Sequence, residues 1–206
     1  MKTPLKFSES NGVMIMSEMT KLKMIHTFKN IPDFTLEEGY TLRFFQPGEE
    51  QLWLELCQHG LLDNMSMENW DTCITAFPTL VPERDLYIIC DPSGKAVATT
   101  IAFTLPEGDG LLHMVAATPE ARGHGLGYAM TVYGIQKLAK EGEAKIMRLN
   151  TDDFRKGAVK VYLKSGFQPV LYDEGMQERW QALCNELNFH GVEMLDLDGN
   201  PTGIIL

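Results

Sequence analysis

Residues 122–127 read Arg-Gly-His-Gly-Leu-Gly, set between an apolar run ending at Ala117 and a long helical period that begins at Leu126. A glycine-rich turn of this kind, ahead of a helix, leaves several backbone N–H groups unpaired and aimed the same way. The helix dipole adds partial positive charge there, so the turn is an anion site in waiting. Gly123, Gly125 and Gly127 also lack the side chains that would hold an anion off. The turn needs a strand before it and a helix after it, which is the first half of a strand–helix–strand unit. A right-handed crossover of that unit implies a mixed α/β sheet, not a helical bundle or a sandwich.

Spacing narrows the anion. A dinucleotide fingerprint starting at Gly123 needs glycine where Tyr128 stands, and one starting at Gly125 needs glycine at Met130. No Gly-Lys-Ser/Thr follows for a phosphate-binding loop of the nucleotide hydrolases. Nicotinamide and P-loop readings are set aside.

The rest of the chain fits around this turn. Residues 1–38 form a leader with one candidate strand, Lys23 to Phe28. Met14, Met16 and Met19 follow its polar opening, so the first dozen residues read as loose or as preceding an alternative start. Residues 39–172 form the main body. Thr41–Phe45 reads as a strand, and Pro47-Gly48 leads into a helix with Leu52, Trp53, Leu56 and Cys57 that stops at Gly60. Ser66 can cap a second helix carrying Met67, Trp70, Ile74 and Phe77, ended by Pro78. Leu86–Cys90 and Ala96–Phe103 form a hairpin about Pro92-Ser93-Gly94, and Leu111–Ala117 is the next strand. A helix over about Leu126–Lys140 closes at Gly142. Ile146–Asn150 is a strand, and Thr151 or Asp153 can cap the helix marked by Ala158, Val161 and Tyr162. Phe167–Tyr172 is a further strand. Residues 173–206 add a helix through Met176, Trp180, Leu183 and Leu187, and a strand over Val192–Leu197, completing the same domain.

Composition bounds the partners. A formal charge of −10 opposes the basic face that nucleic acid requires. Cys57, Cys73, Cys90 and Cys184 are far apart, with no C-x-x-C pair, so they read as reduced, small apolar residues, and no metal site is expected. No run approaches the ~18 apolar residues of a membrane span, and the opening lacks the apolar stretch of a signal peptide. A cytoplasmic protein with no membrane partner is the expectation.

Arg122, Gly125 and Gly127 fill the Q/R-x-x-G-x-G/A signature of the GNAT (GCN5-related N-acetyltransferase) superfamily, and the chain resembles that superfamily at a second place. Ala158 through Phe167 resembles its A-x-x-x-Y-x-x-x-G-F stretch, one helix and one strand downstream. The resemblance covers roughly residues 40–172. It implies the acyl-CoA N-acyltransferase fold, a mixed twisted sheet flanked by helices on both faces. It implies acetyl-CoA as co-substrate, no metal, and an amine of a small molecule or peptide as acceptor, attacked directly in a ternary complex. Members often form homodimers, and the tail is a candidate interface. Where the family often carries Asn, three residues before the alanine of the second motif, this chain has Arg155; that residue can meet a CoA phosphate instead.

The resemblance also implies roles. Val115 and Ala117 pair with the pantetheine arm through their backbone, and an amide there supports the thioester oxygen. Arg122, Gly123, His124, Gly125, Leu126, Gly127 and Tyr128 surround the pyrophosphate. Tyr162 protonates the departing sulfur as a general acid; as an alternative it is a core tyrosine. His113, two residues before Val115 and read as in phase with Val115 and Ala117, is the candidate base or else a histidine bonded within the sheet. Asp152 and Asp153 either draw in a cation or serve the helix N-terminus. Trp53 and Trp70 lie toward the acceptor side or simply in the core. Two further readings stay open: a GNAT-fold acyl-CoA-binding module without turnover, and an O-acyl or longer-acyl transferase.

Overall fold

The computed structural model describes residues 20–206; the segment with Met14, Met16 and Met19 lies outside them. The strands are β1 (Leu22–His26), β2 (Thr41–Phe44), β3 (Leu86–Cys90), β4 (Ala96–Thr104), β5 (Gly110–Ala117), β6 (Met147–Thr151) and β7 (Gln168–Pro169), with a hairpin of β8 (Val192–Leu195) and β9 (Pro201–Ile205). The helices are α1 (Glu50–Cys57), α2 (Met67–Trp70), α3 (Pro82–Asp85), α4 (Leu126–Glu141), α5 (Lys156–Lys164) and α6 (Met176–Leu187). The large sheet runs β2-β3-β4-β5-β6-β1-β7. A parallel bridge between Val170 and Leu195 joins the hairpin to its β7 edge.

Alternation along β6 shows how the two faces are divided. Met147, Leu149 and Thr151 are buried, while Arg148 and Asn150 point to the other side and are less covered. One face packs Leu22, Met24, Met130, Ile135, Leu149 and Trp180 beneath α4, α5 and α6. The opposite face packs Trp53, Leu54, Trp70, Ile88, Ile101 and Phe103 beneath α1 and α2. Trp53 and Trp70 meet edge to face with ring centroids 5.4 Å apart, so both are core residues here. The α2 segment continues as a π turn over Asp71–Thr75, and Ser66 Oγ accepts the Glu68 N–H at its start.

Three expectations from sequence are corrected. Phe167–Tyr172 forms a strand only at Gln168–Pro169; past it the Val170 N–H still reaches the Lys23 carbonyl at 3.0 Å, but the Leu171 N–H turns to Leu195 of the small hairpin at 2.8 Å. Neither Thr151 nor Asp153 caps α5: Arg155 occupies the N-cap with no side-chain bond, and the aspartates are held by cations instead. The third concerns His113 and is taken up with the site. β9 and the turn at α3 were not anticipated from the sequence.

The strand expected in the leader is β1, and its place has a topological cause. β6 and β7 are joined across α5 and both run antiparallel to β1, so they are parallel to each other with one slot between them. β1 fills that slot with Leu22, Met24, Ile25 and His26 buried.

His26 is fully buried beside Phe28 and Phe167, and its Nδ1 accepts the Phe28 N–H at 2.9 Å. That bond fixes the neutral tautomer with the proton on Nε2. The packing is tight enough to require glycine at Gly166, which has φ +96°. A Cβ there would lie 2.9 Å from His26 Nε2. Burial lowers the His26 pKa to about 4, with the Ser165 backbone opposing the shift. The folded value lies below that of the unfolded chain, so this contribution is intact above about pH 6.5 and is lost as pH falls toward 4. The loss should reach about 3 kcal/mol by pH 4. Urea unfolding of wild type and His26→Asn at pH 7 and pH 4.5 checks this. Asn can still accept the Phe28 N–H but cannot titrate, so equal pH slopes in both proteins would refute the assignment.

Candidate active site

The strand β5 carries two irregularities that shape the site. It pairs with β6 only at Gly110–Met147 and Leu111–Arg148; beyond that level the two strands part. From Leu112 onward β5 bonds β4 alone, so its other edge presents free N–H and C=O groups to the gap. The second irregularity is a bulge. Thr99 faces Ala116 and Ile101 faces His113, which leaves one extra residue on β5, and Met114 takes φ +54°.

The bulge corrects the phase of His113. Leu112, Val115 and Ala117 pack toward α4, whereas Met114 and Ala116 pack toward α1 and α2. His113 is on the latter side: its ring meets Phe77 edge to face at 5.4 Å, and its Nε2–H donates to the Cys73 carbonyl at 3.2 Å. It therefore stands on the opposite face from Val115. With the proton on Nε2, the lone pair is on Nδ1. Burial lowers the ring's pKa below the ordinary 6.5, the Cys73 bond working weakly against this, so the imidazole is neutral near pH 7.

Both faces meet in one cavity of about 920 Å³ that passes through the gap. His113, Val115, Arg155 and Tyr162 line it together, with Ala158 on the α5 side. Tyr162 is buried, its ring 6.0 Å from that of Phe167, and its hydroxyl has no hydrogen-bond partner among the described residues. Burial pushes the phenol up to about 12, with Arg155 acting in the other direction. Its proton therefore stays in place through the neutral range. Arg155 Nε bonds Asp152 at 3.0 Å, and Lys21 Nζ reaches the same carboxylate at 2.6 Å. Asp153 is held by Arg179 at 2.7 Å.

The glycine turn lies farther along, where β5 hands over to α4. Gly125 is the N-cap of α4 in the left-handed region, φ +68°, and no side chain caps the helix. The first backbone bond of the helix runs from the Ala129 N–H to the Gly125 carbonyl at 3.0 Å. The amides of Leu126, Gly127 and Tyr128 thus precede any intrahelical partner. Open space surrounds the positions where Cβ atoms would sit at Gly123 and Gly125, and a Cβ at Gly127 would lie 3.9 Å from Val161 on α5. Arg122 is exposed. His124 lies in the turn, and its Nδ1 meets both Glu37 oxygens at 2.9 and 3.0 Å while its ring packs near Tyr40. An uncapped, side-chain-free helix start beside a parted pair of strands fits a phosphate-bearing ligand with an amide-rich arm.

Sequence reasoning missed Glu37, Leu61, Phe77, Leu105, Glu107 and Leu197 as site residues. They come to the turn or the cavity through contacts far apart in the chain, and no local pattern marks them. Among the described residues, no helix is long and apolar enough to cross a membrane. Cys57, Cys90 and Cys184 are buried and unbonded to one another, and Cys73 is half-buried.

Comparison with known proteins agrees with this geometry. The family model described as Acetyltransferase (GNAT) family matches residues 45–167. A mycothiol acetyltransferase of Arthrobacter sp. (strain FB24) is 29% identical over 161 residues, covering 73% of this chain and 49% of that protein. One from Thermobispora bispora is 31% identical over 154 residues, covering 66% of this chain and 49% of that protein. The chain thus spans about half the length of the curated relatives it matches. Among solved structures, a GCN5-related N-acetyltransferase from Sphaerobacter thermophilus superposes with a TM-score of 0.58 at 22% identity, covering 72% of this chain and 48% of that one. A tandem GNAT protein from the clavulanic acid biosynthesis pathway gives 0.55 at 15%, covering 74% and 51%. At those identities the structures speak to fold alone.

Proposed function

This chain belongs to the GNAT acetyltransferase family, and on that premise we propose that it moves the acetyl group of acetyl-CoA directly onto a primary amine within a ternary complex. The observation that carries the reading is the parting of β5 from β6 between the uncapped α4 turn and Tyr162, which lines the cavity. The relatives' name, mycothiol acetyltransferase, supports acetyl transfer; because the chain spans half their length, their acceptor is not carried over.

Acetyl-CoA supplies an activated thioester. The protein's part is to hold and to move protons. The amides of Leu126, Gly127 and Tyr128 hold the pyrophosphate, with Gly123 and Gly125 leaving it room and Arg122 and His124 beside it. Free backbone groups of Val115 and Ala117 hold the pantetheine arm, and an N–H there steadies the carbonyl oxygen. Arg155, at the other wall, can exchange part of its bond to Asp152 for a phosphate contact. His113 Nδ1 takes the amine's proton, directly or through water, and Tyr162 Oη gives one to the departing sulfur.

Release of CoA thiol from acetyl-CoA, measured across amines, polyamines, amino acids and basic peptides, tests the reading. CoA binding without release for any acceptor would make the chain a binding module instead. The assigned base adds a pH prediction. Burial lowers the His113 pKa, so kcat should hold its plateau to below pH 6.5 before falling on the acid side. His113→Gln should lose about 10²-fold in kcat together with that acid limb. An unchanged profile in the variant would move the base elsewhere.

A further inference from the structure

We propose that the acceptor is a primary amine borne on an apolar body, seated in a clasp between Leu61 and Phe77 on one side and Leu105 and Leu197 on the other. The proposal rests on the acetyl-transfer reading and adds to it the chemical class of the acceptor. On the α1–α2 face, the cavity around His113 is walled by Leu61, Phe77, Leu105 and Leu111, all half-buried, and by Leu197. These side chains come from the segments after α1 and α2, from the β4–β5 turn, from β5 itself and from the β8–β9 turn.

Leu197 is the telling member. It is 42% exposed, and it lines the cavity from a turn that is built rigidly. Asp196 Oδ1 accepts the N–H groups of Asp198 and Asn200, each at 2.9 Å. Gly199 sits so close to the sheet that a Cβ there would lie 3.4 Å from Ile146 Cγ2. The hairpin tip is thus folded back over β1 and the start of β6, which presents an uncovered leucine to the cavity that His113 also lines. Leu197 also lies outside residues 45–167, the stretch that the family model matches.

Charge at the same mouth is mixed. Glu107 and Asp198 line the cavity, and neither carboxylate pairs with a cation among the described residues; of the cations in the same lining, Lys21 and Arg155 are bonded to Asp152 and Arg148 to Asp109, while Lys23 lies 4.2 Å over the Tyr172 ring. The two free carboxylates offer partners to an arriving ammonium. The leucines then select the remainder of the molecule by the apolar area it can bury.

The test uses the n-alkylamines from ethylamine to octylamine, with glucosamine as the polar comparison. Two readouts run in parallel: CoA thiol release, and calorimetric titration of each amine onto CoA-saturated protein. Both kcat/KM and affinity should rise about threefold to fourfold per methylene until the clasp is filled. Leu197→Asp and Leu105→Asp should each flatten that rise. Leu197 is exposed, so its variant should fold, and near-UV circular dichroism checks both. A flat series in wild type, a slope retained in both variants, or glucosamine preferred over hexylamine would overturn the proposal. Absent thiol release with a retained calorimetric slope would sink acetyl transfer while supporting the apolar clasp, so the two failures are distinct.

Discussion

Tyr162→Phe should lower kcat by about 10²-fold while leaving acetyl-CoA binding and stability nearly unchanged. The substitution keeps the ring that packs 6.0 Å from Phe167 and removes only the hydroxyl. That hydroxyl has no partner among the described residues, so its loss leaves no buried group orphaned, and the fold should shift by less than ~1 kcal/mol. A positioned general acid is worth ~10²–10⁴ in rate, and thiolate is a fair leaving group, which favours the low end. Burial holds the phenol near 12, so its proton is present throughout the neutral range and the effect should not depend on pH between 6 and 9. The rate must be read under acetyl-CoA saturation with chemistry rate-limiting. A wild-type kcat there would leave Tyr162 as a core residue and assign the proton to another group or to water.

What could be read from sequence follows the range of each signal. The strand–turn–helix at residues 110–141 was legible because glycine spacing and helical period are local, and α4 starts and ends where they indicate. The helix at Met176–Leu187 was legible for the same reason. The bulge at Met114 was not: two-residue alternation puts His113 in phase with Val115, and one inserted residue reverses that. Nor was the place of β1. Its apolar residues mark a strand, but only the slot left between β6 and β7 decides where it goes. Asp152 and Asp153 are ordinary capping residues by type, yet Lys21 and Arg179, more than twenty residues away in sequence, claim them. The acceptor wall is the extreme case. Leu61, Leu105 and Leu197 are unremarked leucines in three turns, and only the fold brings them to the cavity that His113 lines.

Gly127→Glu should abolish CoA binding while making the free protein slightly more stable, and the opposite signs are what make this variant informative. Gly127 is helical, with a negative φ, and a Cβ there would meet Val161 at 3.9 Å, an ordinary contact. Glycine is a poor helix residue, so replacing it gains up to ~1 kcal/mol. A carboxylate in the first turn of α4 also complements the helix dipole, by ~0.3–1 kcal/mol. The same carboxylate stands where we place the pyrophosphate. Like charges about 5 Å apart repel by ~1–3 kcal/mol across an intermediate dielectric, and the added bulk closes the approach to the amides. An affinity loss of at least ~100-fold is expected, read by calorimetry with CoA. Gly125→Glu is the less clean companion, since φ +68° costs a side chain ~1–2 kcal/mol before any ligand is considered. The thermal melt gives the second readout: Gly127→Glu should melt at or above wild type without ligand and gain nothing from CoA. A folded Gly127→Glu protein with wild-type CoA affinity would place the cofactor away from this turn, and with it the roles assigned to Arg122 through Tyr128.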